Sequence, residues 1–238
     1  MKAVVLNAVG APLNYSDYPD PSPKGSETLI QVTACGVCHS DLHVVDGVYP
    51  SPLPMIMGHE VVGIHEELGP VMVYPCWGCL KPDCWACASG QEMICPNATE
   101  AGLFRNGGYA EKMLIKNRSY LLPLGNLDPV SAAPLACGGL TAYRAVSHTL
   151  PNLTKKSRVL VIGAGGLGQF GIQFLKLQSD AKVVAADLSS DKLKRALAVG
   201  ADEVASPTEL DGTFDAIIDF VGAQNTLELV AKQIARQG

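Results

Sequence analysis

Eight cysteines and one glycine-rich turn are the residues of this 238-residue chain whose types and spacing suggest chemistry. Five of the cysteines, Cys76, Cys79, Cys84, Cys87 and Cys95, fall in the single stretch PCWGCLKPDCWACASGQEMIC. Four thiolates at ~2.3 Å make a closed tetrahedral zinc site, which staples a loop and leaves no position for water. Five candidates compete for four places; the expected set is Cys79, Cys84, Cys87 and Cys95, with Cys76 in reserve. Disulfides are the competing reading. The N-terminus MKAVVLNAVGAP is too short and too broken for a secretory signal, so a reducing cytoplasm is the expected location and metal the expected role. Cys38, the pair His59-Glu60 and Cys137 are scattered. Two cysteines and a histidine match a catalytic zinc site with one position open, but their separations are too long for spacing to group them.

The turn lies in VLVIGAGGLG, where Gly163, Gly165 and Gly168 form a GxGxxG frame after an apolar run and before an amphipathic one. The first glycine permits a tight turn, the second admits a pyrophosphate, and the third lets helix and strand pack closely. Gly166 and Leu167 belong to the same turn, whose free N–H groups sit at the positive end of a helix. Asp187 follows Gly168 by 19 residues, the place for a carboxylate that accepts both ribose hydroxyls of NAD and repels the 2′-phosphate of NADP. Lys192 lies within reach of the same ribose.

The elements that must position these residues change character along the chain. Residues 4–6, 28–32 and 61–64 are short apolar runs bounded by Gly, Pro or Asn, and predict an irregular β-barrel. Beyond residue 150, strands at 158–162, 182–186 and 215–221 alternate with helical periodicity at 167–175 and 227–235. A further helix is capped by Ser189 or Ser190. That alternation means βαβ units and a parallel sheet. With 47% apolar and 17% charged residues the chain is no disordered segment, its net charge of −5 lacks the basic stripe of a nucleic-acid binder, and no apolar run is long enough for a membrane span.

The motifs CGVCHSDLH, GHEVVG, the cysteine-rich loop, LACGGLTAYRA and VLVIGAGGLG occur in that order, and the chain resembles the zinc-dependent medium-chain alcohol dehydrogenase family over essentially its whole length. The resemblance implies a GroES-like catalytic domain over residues 1–138 and a Rossmann NAD-binding domain over 139–238, with the active site in a cleft between them. It makes Cys38, His59 and Cys137 the catalytic zinc ligands, with Glu60 behind the metal and Asp41 orienting the histidine. Ser40 and His43 match the family's proton relay. His39, Thr141, Val221 and Gly222 match positions that contact the cofactor, and Cys35 is left to the core. The implied reaction moves hydride from an alcohol to NAD, giving an aldehyde or ketone. The implied assembly is a homo-oligomer of the full-length protein.

Three departures from the family pattern carry expectations of their own. The connection between GHEVVG and the cysteine-rich loop is short at Gly69-Pro70, which threatens the barrel register. Four residues separate Cys79 from Cys84 where two are usual, which is why Cys76 stays in reserve. The sequence stops at Gly238, before the strands that usually complete the Rossmann sheet, so the chain reads as a truncated member with the strand at 216–221 left as an apolar edge. Two alternatives stand beside the leading reading. One is a zinc-type polyol or sugar dehydrogenase, which only the pocket discriminates from the leading reading, and Tyr49 and Trp77 suggest an apolar lining; the other is a zinc- and dinucleotide-binding protein without turnover.

Overall fold

The computed structural model describes residues 1–235, which divide into two compact units after Cys137. In the first unit, β1 (Lys2–Leu6) pairs antiparallel with β2 (Asn14–Asp17), and β3 (Thr28–Gly36) leads into helix α1 (His39–Val45). β4 (Met55–Ile56) joins β1, and β5 (Glu60–His65) and β6 (Gly69–Val73) form a hairpin. β7 (Cys76–Trp77), α2 (Trp85–Ala88) and β8 (Thr99–Glu100) frame the cysteine-rich lobe. β9 (Lys112–Ile115), β10 (Leu121–Pro123) and α3 (Pro129–Ala132) close the unit. The sheets run β2-β1-β4 and β10-β6-β5-β3-β9, and an Ala3–Ala110 bridge links them. Ile30, Val61, Val71, Val73, Trp77 and Ile115 fill the core between strands.

The short connection at Gly69 does not disturb register. Three residues, Glu66, Glu67 and Leu68, join His65 to Gly69, and Gly69 takes φ +69. The left-handed residue is thus the first of β6, where glycine carries no steric cost. The His65 ring accepts the N–H groups of Glu67 and Leu68, both at 3.2 Å, and so caps the turn. Val71 and Val73 face inward as alternation requires.

The second unit opens with helix α4 (Gly138–Thr149), followed by β11 (Arg158–Ile162), α5 (Gly166–Gln178), β12 (Lys182–Ala186) and α6 (Ser190–Ala198). β13 (Glu203–Ala205), β14 (Ala216–Asp219) and α7 (Gln224–Gln233) follow. All four strands are parallel, in the order β13-β12-β11-β14. Stepping out from β11 in both directions is the doubly wound arrangement, with its ligand crevice at the strand ends beside β11. Val159, Val161, Val183, Ala185, Ile172 and Leu175 bury one face of this sheet.

Two element boundaries differ from the sequence expectation. The strand expected over 215–221 ends at Asp219, because the Asp219 Oδ1 accepts the N–H groups of Val221 and Gly222 and turns the chain out of the sheet. The helix expected from 227 begins three residues earlier, since the Thr226 hydroxyl accepts the Ala223 N–H and caps it, and it ends at Gln233 rather than 235. Just before β14 the edge is not bare: Phe214 donates to Gln233, the last residue of α7, and accepts from Ala235, each at 2.9 Å.

Candidate functional site

The cysteine-rich lobe brings Cys79, Cys84, Cys87 and Cys95 together, with all four sulfurs within 4.8 Å of one another; Cys76 is outside the group. The sulfurs of Cys79 and Cys87 are 3.8 Å apart, and those of Cys84 and Cys95 are 3.7 Å apart. A disulfide would need about 2.05 Å. A regular tetrahedron with ~2.3 Å arms has edges of about 3.8 Å, so the donor set fits one zinc ion. The four-residue spacing from Cys79 to Cys84 is absorbed by Leu80, which takes the left-handed φ of +57 that side-chain-bearing residues usually avoid. Gly78 is required here, because a Cβ on it would fall 2.6 Å from the Cys87 sulfur. Burial pushes the Cys95 thiol up, but N–H groups of Cys79 and Asn97, each 3.4 Å from its sulfur, bring it down to about 6.

The dispersed residues also meet. Ligand atoms of Cys38, His59, Glu60 and Cys137 lie within 4.8 Å of one another. Three packing facts achieve this. Cys38 precedes α1 directly, His59 and Glu60 stand at the entrance of β5, and β3 pairs with β5 so that Gly36 faces Glu60. The segment Ala133–Ala136, a short tight helix packed on β5, delivers Cys137. The Cys38 and Cys137 sulfurs are 3.9 Å apart, again too far for a disulfide and near the edge of a tetrahedral site. Gly36 has no room for a side chain, since a Cβ would strike the Glu60 Oε2 at 2.1 Å.

Electrostatics favour a cation at this second group. His59 and Asp41 are both buried, and their facing atoms Nδ1 and Oδ1 are 3.4 Å apart with no other hydrogen-bond partner. Burial works against ionisation of Asp41, yet His59, the Cys38 N–H and the Tyr109 hydroxyl together hold its carboxyl below the ordinary carboxylate range. The hydrogen bond from Cys137, opposed by burial and aided by His59, holds Cys38 low; Cys137 is pushed up in return. The His59 imidazole is likewise pushed toward its charged form, burial being outweighed by Asp41 and Cys38. Two thiols and two carboxylates thus surround one imidazole, a donor set that a divalent ion neutralises. An imidazole with one nitrogen toward a carboxylate presents the other to a metal, the arrangement that fixes its tautomer.

In the second unit, Gly163, Asp187, Lys192 and Val221 line one cleft of about 810 Å³, together with Ser189, Thr208, Asn225 and Leu229. Gly163 takes φ +88, and a Cβ there would meet Val221 at 2.7 Å. Gly168 allows close approach, since a Cβ would sit 1.8 Å from the Gly163 carbonyl. Gly165 and Gly166 have open space where a side chain would be, and Gly165 caps α5 without a side-chain hydrogen bond. The first turn of α5 therefore keeps its N–H groups available, a ready anion site. Asp187 accepts the N–H groups of Ala164 and Ser189, each at 2.9 Å, and Lys192 stands 3.8 Å from it. A carboxylate has about four acceptor positions, so two remain for hydroxyls. Gly222 takes φ +67 in the turn that Asp219 holds.

The remaining expected residues fall as follows. Ser40 and His43 share one face of α1 at i, i+3, with His39 exposed at its start; the His39 and His43 rings are 5.0 Å apart. His43 also meets Tyr49 edge-on at 5.8 Å, and Tyr49 meets Phe104 at 6.4 Å. Leu167 lies in the first turn of α5 and Thr141 is exposed on α4. Trp77 cannot line a pocket. It is 1% exposed in the core between strands, with its indole N–H given to the Tyr74 carbonyl. Cys35 is packed against Gly58 and Gly108, and burial pushes its thiol well up. Sequence reasoning missed Asp219 and Thr226, although Thr226 stands three residues after Ala223 where a capping residue would; their mutual bond of 2.6 Å organises the turn at Val221.

Two donor sets of zinc geometry in a β-rich unit, and a glycine-turn cleft in a doubly wound unit, define a zinc-type dinucleotide-dependent dehydrogenase. Residues 24–126 match the alcohol dehydrogenase GroES-like domain family, and residues 166–238 match the zinc-binding dehydrogenase family. An NAD-dependent alcohol dehydrogenase of Sulfurisphaera tokodaii is 35% identical over all of this chain and 76% of its own length. A D-arabinose 1-dehydrogenase (NADP(+)) of Saccharolobus solfataricus is 36% identical over 98% of this chain and 70% of its own. The crystal structure of the alcohol dehydrogenase from Aeropyrum pernix superposes with a TM-score of 0.92 at 32% identity, covering all of this chain and 77% of that one. The chain belongs to the zinc-dependent medium-chain alcohol dehydrogenase family.

Proposed function

We propose that this chain is an NAD-dependent zinc alcohol dehydrogenase that converts a small-molecule alcohol to an aldehyde or ketone. The observation that carries the reading is the convergence of Cys38, His59, Glu60 and Cys137 from positions up to 99 residues apart. Residues 1–138 serve as the GroES-like catalytic domain and residues 139–238 as the NAD-binding domain, a division supported by the compact units on either side of Cys137. Cys38, His59 and Cys137 would hold a catalytic zinc, and Cys79, Cys84, Cys87 and Cys95 a structural one. When bound, the catalytic zinc supplies Lewis acidity toward the alcohol oxygen and NAD supplies the hydride acceptor.

The chain's own residues do the rest. Asp41 fixes the tautomer of His59, and Glu60 adds an anionic group beside the donors. Ser40 receives the alcohol proton in the relay and His43, one turn further along α1 and half-buried, passes it to solvent. Gly163, Gly165, Gly166, Leu167 and Gly168 admit the pyrophosphate to the α5 N-terminus, and Asp187 takes the ribose hydroxyls. Lys192, His39, Thr141, Val221 and Gly222 complete the cofactor contacts. In this reading the full-length enzyme is a homo-oligomer and works in the cytoplasm. No helix among the described residues is long and apolar enough to cross a membrane.

Cys38→Ser tests the assignment. It should lower alcohol oxidation about a thousandfold and remove one zinc per chain while NAD still binds. A variant that retained wild-type turnover would overturn the reading.

A further inference from the structure

Tyr109 belongs to no motif singled out in the sequence, yet it touches both supports of His59. Its ring packs on Gly58, the residue before His59: Gly58 takes φ +92, and a Cβ there would fall 2.6 Å from the Tyr109 ring. The backbone of the same segment runs alongside, with the Tyr109 N–H given to the Met57 carbonyl at 2.9 Å and the Gly108 N–H to the Gly58 carbonyl at 2.8 Å. The Tyr109 hydroxyl donates to Asp41 Oδ2 at 2.8 Å, with the Gly36 carbonyl at 3.2 Å as a second acceptor.

Asp41 Oδ2 also accepts the Cys38 N–H at 2.8 Å. Two donors on one oxygen fix the carboxylate plane. The other oxygen, Oδ1, is then aimed at His59 Nδ1 and has no hydrogen-bond donor of its own. A buried carboxylate with only the Cys38 N–H to hold it could rotate, and the imidazole would lose its orientation. Outer partners of metal-binding histidines act in this way, and their removal typically weakens metal binding about 10–100-fold.

We propose that Tyr109 is a positioning residue for the catalytic metal: by clamping Asp41 and lying on Gly58 it holds His59 in its ligating orientation. The inference rests on the reading of Cys38, His59 and Cys137 as a zinc site. Tyr109→Phe deletes one oxygen and leaves the ring on Gly58, so the fold should persist, as a melting curve will show. The test is the rate at which a chromogenic chelator removes zinc from the purified chain, with the four-cysteine site as internal control. Tyr109→Phe should release the catalytic zinc about tenfold faster and the structural zinc at the wild-type rate.

Asp41→Asn should accelerate the same release at least as much, and the double variant should release no faster than Asp41→Asn alone, because Tyr109 acts through that carboxylate. Unchanged release in Tyr109→Phe from a wild type that holds two zincs would overturn this inference alone. Equal acceleration at both sites would also overturn it, since a general loosening would then explain the effect. A wild type with no zinc at Cys38, His59 and Cys137 would overturn the metal-site reading and this inference with it.

Discussion

The two units carry their chemistry in opposite ways. In the second, the glycine turn and its acidic residue come from one βαβ passage, in which Gly163 to Gly168 follow β11 and open α5 and Asp187 follows the next strand, while Thr208, Val221 and Asn225 complete the cleft from later in the unit. In the first, Cys38, His59 and Cys137 belong to separate elements and meet only because β3 pairs with β5 and the Ala133–Ala136 helix packs on β5. The cysteine lobe of that same unit is again local, spanning residues 79–95. Local sites are set by turn geometry; the dispersed one depends on the folding of a whole domain. Substitutions at the local sites should therefore act on the site they occupy or on nearby stability. A loss of sheet register in the first unit would erase the dispersed site outright.

The largest expected effect is at the dispersed site. Cys38→Ser should lower turnover about a thousandfold, equivalent to ~4 kcal/mol of lost transition-state stabilisation, with little change in melting temperature. The reverse split is expected in the lobe. Cys95→Ser should lower the melting temperature strongly, because a structural zinc contributes folding energy directly, while any folded fraction keeps its turnover. If both variants lost stability alike, the distinction between the sites would fail.

Glycines of the nucleotide turn sharpen the contrast within one motif. Gly168→Ala must push a methyl group to within 1.8 Å of the Gly163 carbonyl, and should cost roughly 1–3 kcal/mol of stability as well as NAD affinity. Gly165→Ala meets nothing within 4 Å, so it should leave the melting curve unchanged and weaken NAD binding alone, as calorimetry would show. The smallest effect is a change of preference. The wild type should use NAD over NADP, and Asp187→Asn, which removes the charge facing the 2′-phosphate, should raise the NADP-to-NAD ratio of kcat/KM about tenfold, or ~1.4 kcal/mol. A wild type that prefers NADP would remove Asp187 as the determinant.

How much of this was legible in the sequence follows the same division. The glycine turn and its flanking strands were readable because each is set by residues a few positions apart, and Asp187 because a single βαβ unit fixes where the next strand ends. The lobe was readable except for the choice between Cys76 and Cys79, which depends on Leu80 adopting a left-handed backbone. The Cys38, His59 and Cys137 set came through family resemblance, since no local pattern encodes the β3–β5 pairing. Trp77 was misjudged because a large aromatic fills a core as readily as it lines a pocket. The end of β14 was misjudged because the apolar run continues through Val221, while the Asp219 side chain stops the strand. Tyr109 was invisible, since its role arises only where Gly58 and Asp41 meet it.

The most direct test of the central claim is a count of metal. Elemental analysis of protein purified without chelators should find two zinc ions per wild-type chain, and one in Cys38→Ser. One ion or none in the wild type would contradict the account.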